Sequence, residues 1–163
     1  MRIKKTKILK GNVFLTPVDI SSVINHCPLL KDFLDRYKLT PKMFSIMQVN
    51  SDAHYFHNTI HTDEDKACII LLPVLNCEYS MTAFYDVPQE KLSRTTLIDS
   101  PDIPYNYADP NENYQLIGEF SLTAPHVIDT SVPHCIRMLE NARYPRISFG
   151  IRVNEDLRDW LYS

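Results

Sequence analysis

The residues whose types and spacing could do chemistry are His61-Thr62-Asp63, then His134 far along the chain, and soon after it Arg146 and Ser148. Two histidines and one carboxylate form the ligand set that leaves three positions open on a ferrous ion. Residues two apart in a strand point to the same face, so one strand can offer His61 and Asp63 to a single ion. Taken alone, His-x-Asp is equally a surface turn, because Thr62-Asp63-Glu64-Asp65-Lys66 also reads as a polar hairpin. His134 alone is equally a structural histidine behind Pro133. Of the four other histidines, His26 lies in a helical segment and His126 sits between Pro125 and Val127. His57 shares the strand face of His61 but lies four residues off, and His54 faces the opposite way; either could face a substrate.

Residues 146–153 carry the sharpest alternation in the chain. Ile147, Phe149, Ile151 and Val153 fall on one face, and Arg146, Ser148, Gly150 and Arg152 on the other. That pattern is a strand with a polar face, either solvated or turned into an interior. A buried arginine needs a partner. A carboxylate gives it a bidentate one, and the Ser148 hydroxyl adds a donor. Gly150 leaves room in such a pocket. Arg146 and Ser148 are therefore expected to hold a dicarboxylate beside the metal. Arg152, on the same face, is the rival candidate for that role, but its place near the strand's end favours a surface salt bridge.

Together these motifs resemble the Fe(II)- and 2-oxoglutarate-dependent oxygenases. The pattern there is His-x-Asp, a long gap, His, and shortly afterwards Arg-x-Ser or a variant. The segments Leu72-Pro73-Val74-Leu75-Asn76-Cys77-Glu78 and Asp129-Thr130-Ser131-Val132-Pro133-His134 are similar to those of small, often phage-associated members. The resemblance covers roughly residues 43–153. It implies Fe(II) held by His61, Asp63 and His134, and 2-oxoglutarate chelating that ion, with its 5-carboxylate on Arg146 and Ser148. It further implies use of dioxygen, release of succinate and CO2, and hydroxylation of a small-molecule or side-chain substrate. Asn76 would line the cosubstrate pocket or hold a turn, and Tyr79 or Tyr85 would bond the cosubstrate or pack in the core. Two other readings stand beside it. A cupin-like metal site usually uses three histidines and a glutamate, which Asp63 and the Arg146/Ser148 pair do not match. A structural jelly roll or binding module needs no ligand triad.

The elements that must position these residues follow from periodicity. Residues 12–17 look extended. Residues 19–38 have helical spacing, with Val23, Ile24, Leu29, Leu30, Phe33 and Leu34 recurring on one side. Asp19 or Ser21 could cap this segment, Pro28 should split it, and Pro41 ends it. Strands are expected at 43–50, 54–62, 67–75, 79–85, 93–98, 115–122, 125–130, 134–139 and 146–153. Residues 67–72 are continuously apolar, as in a strand covered on both faces. Residues 155–161 could close with a helical turn. The expected fold is mainly β, a double-stranded β-helix (jelly roll) with the N-terminal helical segment packed on one sheet. Residues 86–114 hold Pro88, Pro101, Pro104 and Pro110 and read as a long irregular segment, a substrate lid or a tied-down surface loop.

Composition sets the outer bounds. The 163 residues are 44% hydrophobic and 23% charged, ordinary for a soluble globular protein. One domain over 1–163 is expected, with its core at roughly 43–153. A net charge of −3 argues against nucleic acid as partner, although residues 1–10 form a local basic run. No stretch approaches the ~18 apolar residues of a membrane span, and the N-terminus lacks the apolar region of a signal peptide. Cys27, Cys68, Cys77 and Cys135 make no Cys-x-x-Cys pair. Free thiols in a reducing cytoplasm, or a host's cytoplasm for a viral protein, are the expectation. Three glycines against eleven prolines imply rigid loops.

Overall fold

The computed structural model describes residues 7–8, 13–50, 60–63, 68–97, 100–109 and 111–162. They are mainly β. The first strands are β1 (Lys7–Ile8), β2 (Val13–Val18), β3 (Pro41–Val49), β4 (His61–Asp63), β5 (Cys68–Leu75) and β6 (Ser80–Asp86). Then follow β7 (Leu92–Leu97), β8 (Ser100–Ala108), β9 (Gln115–Ser121), β10 (His126–Asp129), β11 (His134–Met138) and β12 (Arg146–Val153). One sheet, called A here, has the order β1-β2-β3-β12-β5-β10, and sheet B has the order β7-β8-β4-β11-β6-β9. Every pairing among these strands is antiparallel.

The helical segment is indeed split. Helix α1 (Ile20–His26) is capped by Asp19, whose Oδ1 accepts from the Ser22 N–H at 2.8 Å. Pro28 opens α2 (Pro28–Arg36), in the first turn, where its missing N–H leaves nothing unsatisfied. Val23 of α1 and Leu34 of α2 pack on Phe44, Ile70, Ile151 and Val153, so the helices cover the outer face of sheet A. A short helix α3 (Arg158–Tyr162) closes the described chain. No helix among the described residues is long and apolar enough to cross a membrane.

Residues 68–72 of β5 are continuously apolar because both faces of that stretch are covered, whereas Val74 and Leu75 at its end are exposed. Cys68, Ile70 and Leu72 meet the helices. Ile69 and Leu71 turn the other way, into a second cluster with Cys77, Leu122, Ile128 and Phe84. That cluster joins the inner faces of the two sheets.

Residues 86–114 depart from expectation. Beyond residues 92–97, residues 100–108 also form a strand, so much of the segment is the hairpin β7–β8. Strand β8 goes on to pair with β4, setting His61 against Tyr107 and Asp63 against Tyr105. Its prolines, Pro101 and Pro104, fall outside the stretch paired with β4, where a missing N–H is tolerated. The strand expected at 54–62 lies outside the described residues up to residue 59, as do His54 and His57.

Candidate metal centre

Three residues of β4 carry two of the candidate ligands. The strand is pinned at both ends: the Asp63 N–H donates to the Thr130 carbonyl at 3.0 Å, and the Ala108 N–H donates to the Ile60 carbonyl at 2.9 Å. β4 lies between β8 and β11, and His134 stands directly opposite His61. The two imidazole centroids are 4.6 Å apart. All three side chains are buried.

His134 is delivered by a built turn. Asp129 Oδ1 accepts from the Ser131 N–H at 2.9 Å and from the Ser131 hydroxyl at 2.6 Å, an Asx-type turn. Arg158 Nε lies 3.4 Å from the other oxygen, Oδ2. The Pro133 carbonyl then accepts from the Tyr85 N–H at 2.9 Å. His134 Nδ1 sits 2.8 Å from the Val132 carbonyl oxygen. A carbonyl can only accept, so Nδ1 carries the proton and Nε2 is left as a lone-pair donor. This is the orientation that metal-bound histidines usually have.

The donor set fits a divalent ion. One ligand atom from each of His61, Asp63 and His134 lies within 4.8 Å of the other two. His61 Nε2 is 3.8 Å from Asp63 Oδ1. Bonds of about 2 Å to a common ion place neighbouring ligand atoms about 3 Å apart, so a small side-chain rotation completes the site. The second oxygen of Asp63, Oδ2, is ion-paired with Arg152. The Tyr107 ring is 5.8 Å from that of His61. Burial, with Asp63 adding to it, pushes the Tyr107 phenol up to about 12, so it stays protonated.

The triad opens on a cavity of about 100 Å³ between the two sheets. Ser148, Gly150 and Arg152 of β12 line one wall. Leu15, Met43 and Met47, from β2 and β3, form an apolar wall, and Ile69, Leu71 and Ile128 form another. The close approach of Ile69 explains Gly150: a Cβ there would lie 2.9 Å from Ile69 Cδ1 and 3.0 Å from Ser45 Oγ.

Arg146 lies one step behind this wall, 1% exposed. Its Nε donates to the Ser80 hydroxyl at 2.8 Å and its Nη1 to the Ser148 hydroxyl at 3.1 Å. Among the described residues no carboxylate pairs with it. Burial pulls its pKa below the usual arginine range, the direction expected of a cation left without a counter-charge. Ser148 is thus the link between the guanidinium and the cavity.

The other candidates separate cleanly. Asn76 holds a turn and does not line the cavity: its backbone is left-handed at φ 54° and its Nδ2 donates to the Pro145 carbonyl at 2.9 Å. Tyr79 lies under the Arg143 guanidinium, and Tyr85 contacts Cys135; neither lines the cavity. His26 bonds its own helix, and His126 stacks on Phe120. Arg152 overturns its expectation, because it points into the cavity towards Asp63 and not out to solvent. It shares the inner face of β12 with Arg146, and that face reaches as far as Asp63 at the metal end of the cavity. Ser80, from the opposite sheet, carried no signal in the sequence.

No protein-family model matches the chain, and no curated protein matches it. Among solved structures it is similar to the X-ray structure of E. coli ycfD, with a TM-score of 0.49 and 12% identity, over 93% of this chain and 37% of that one. The chain therefore spans little more than a third of that protein's length.

Proposed function

We propose that the chain is an Fe(II)- and 2-oxoglutarate-dependent dioxygenase with a jelly-roll fold. It would hydroxylate a small-molecule or side-chain substrate and form succinate and CO2. The observation that carries this reading is one cavity served by both parts of the chemistry. A buried two-histidine, one-carboxylate triad opens on it, and a buried arginine with no carboxylate partner among the described residues stands behind its Ser148. When bound, Fe(II) with 2-oxoglutarate and dioxygen supplies the oxidising power, and the protein supplies placement and shelter.

The chain's own residues have definite tasks in this reading. Val132 fixes the His134 tautomer, and β4 holds His61 and Asp63 on one face. Arg146 and Ser148 receive the 5-carboxylate, which gives the buried guanidinium a counter-charge. The walls of Leu15, Met43, Met47, Ile69 and Leu71 exclude water from the reacting centre. A cupin-type centre finds no match here, since the ligand group among the described residues holds two histidines and no glutamate.

The test is succinate formation by purified protein given Fe(II), ascorbate, oxygen and 2-oxoglutarate, with and without candidate substrates. Succinate that requires both iron and oxygen, and stops when the oxalyl analogue of the cosubstrate is added, is the expected result. Absence of succinate under every substrate mixture refutes the proposal.

A further inference from the structure

The oxygenase reading assigns no task to Arg152, the second arginine on the inner face of β12. It forms an ion pair with Asp63 through Oδ2, while Oδ1 is the oxygen turned towards His61 Nε2 at 3.8 Å. The two oxygens of one carboxylate are thus divided between a fixed cation and the place where an ion would sit.

A carboxylate can bind an ion through one oxygen or through both. The difference matters at a three-ligand centre. Coordination through both oxygens takes a further position and leaves two of the three that the cosubstrate and oxygen need. A guanidinium is planar, always charged and directional, so it holds an oxygen it has bound. Both side chains are only 12% exposed, so salt and water do little to loosen the pair. We propose that Arg152 is a positioning residue that restricts Asp63 to coordination through Oδ1 alone and thereby keeps one position at the metal open. This rests on the metal centre of the oxygenase reading, but it concerns coordination and not turnover.

The test counts water on the metal. Mn(II) replaces Fe(II), because it favours six positions with oxygen and nitrogen ligands and its exchangeable waters can be counted by 17O-water broadening of its EPR lines. Wild-type protein is expected to carry three, falling to one when 2-oxoglutarate chelates. Arg152→Gln frees Oδ2 and is expected to carry two, falling to none with 2-oxoglutarate. Arg152→Lys keeps a cation on Oδ2 and is expected to restore the wild-type count. An unchanged count in Arg152→Gln overturns the proposal. Loss of a water in both variants also overturns it, because the side chain then acts by packing and not by charge. If Arg152→Gln does not fold, Arg152→Met carries the same comparison. A wild-type protein that shows three waters but makes no succinate refutes the oxygenase reading and leaves the role of Arg152 standing. A wild-type protein that binds no Mn(II) refutes both.

Discussion

Replacing Arg146 with lysine keeps the charge and removes the fork, and the structure allows the loss to be sized. Of the five N–H donors on a guanidinium, Arg146 gives Nε to Ser80 and one Nη1 proton to Ser148. The remaining donors can meet a carboxylate, two at a time and in plane. Lysine meets it as a point charge and also abandons Ser80 or Ser148. One charge-assisted hydrogen bond lost costs about 1.5–3 kcal/mol. At about 1.4 kcal/mol per decade, that is roughly a ten- to hundredfold weaker grip on 2-oxoglutarate. The side chain is 1% exposed, so bulk water does not stand in for the missing donor, and the upper half of the range is expected. The assay is calorimetric titration of Mn(II)-loaded protein with 2-oxoglutarate, after a melting curve has shown that the variant folds. Metal affinity should be nearly unchanged, because Arg146 touches none of the three ligands. If Arg146→Lys binds 2-oxoglutarate as tightly as wild type, the reasoning fails. If Arg152→Lys alone shows the defect, the carboxylate is held at the other end of β12.

Metal binding should register in stability: excess Mn(II) at about a hundred times its dissociation constant adds about 2.7 kcal/mol, roughly 5–10 °C in melting temperature for a chain this size. His134→Ala should abolish that rise in calorimetry, and a rise that persists would place the ion elsewhere. Tyr107, pushed up to about 12, has its folded pKa above its unfolded one, so its contribution is complete below about pH 10 and is lost as pH climbs towards 12. Urea unfolding at pH 9 and pH 11 should show a drop of about 1.3 kcal/mol from this group in wild type and a smaller drop in Tyr107→Phe. Gly150→Ala should push Ile69 into the cavity and destabilise by about 1–3 kcal/mol, and adding Ile69→Val should recover part of both stability and 2-oxoglutarate affinity.

How much could be read beforehand depended on how local the physics was. The alternation of β12 is local, and it put Arg146, Ser148 and Gly150 on the inner face and Ile151 and Val153 against the helices. The break at Pro28 and the cap at Asp19 are local too. Strand β8 was hidden because Pro101, Pro104 and Asn106 are poor strand formers, and only its neighbours β7 and β4 make it a strand. Ser80 could not be foreseen, since a serine earns its role only when sheet B is laid over sheet A. Asn76 followed its backbone: a left-handed turn outranked any place in the pocket. Arg152 shows the limit of parity, which gives the face of a residue but not its distance from a ligand on another strand.

The shortness of β4 has a dynamic consequence. Among the described residues it is three residues long and meets β11 through the pair His61 and His134. Such a segment can open on its own, well below the free energy of global unfolding. An ion bound by His61 and Asp63 on one strand and His134 on the next would bolt the two together, so local opening would first require the ion to leave. Amide hydrogen exchange at Asp63, whose N–H is held by Thr130, should then slow sharply on metal loading. Amides in the middle of β12, already flanked by β3 and β5, should hardly respond. The metal would thus act as a latch on one weak strand of an otherwise self-sufficient framework.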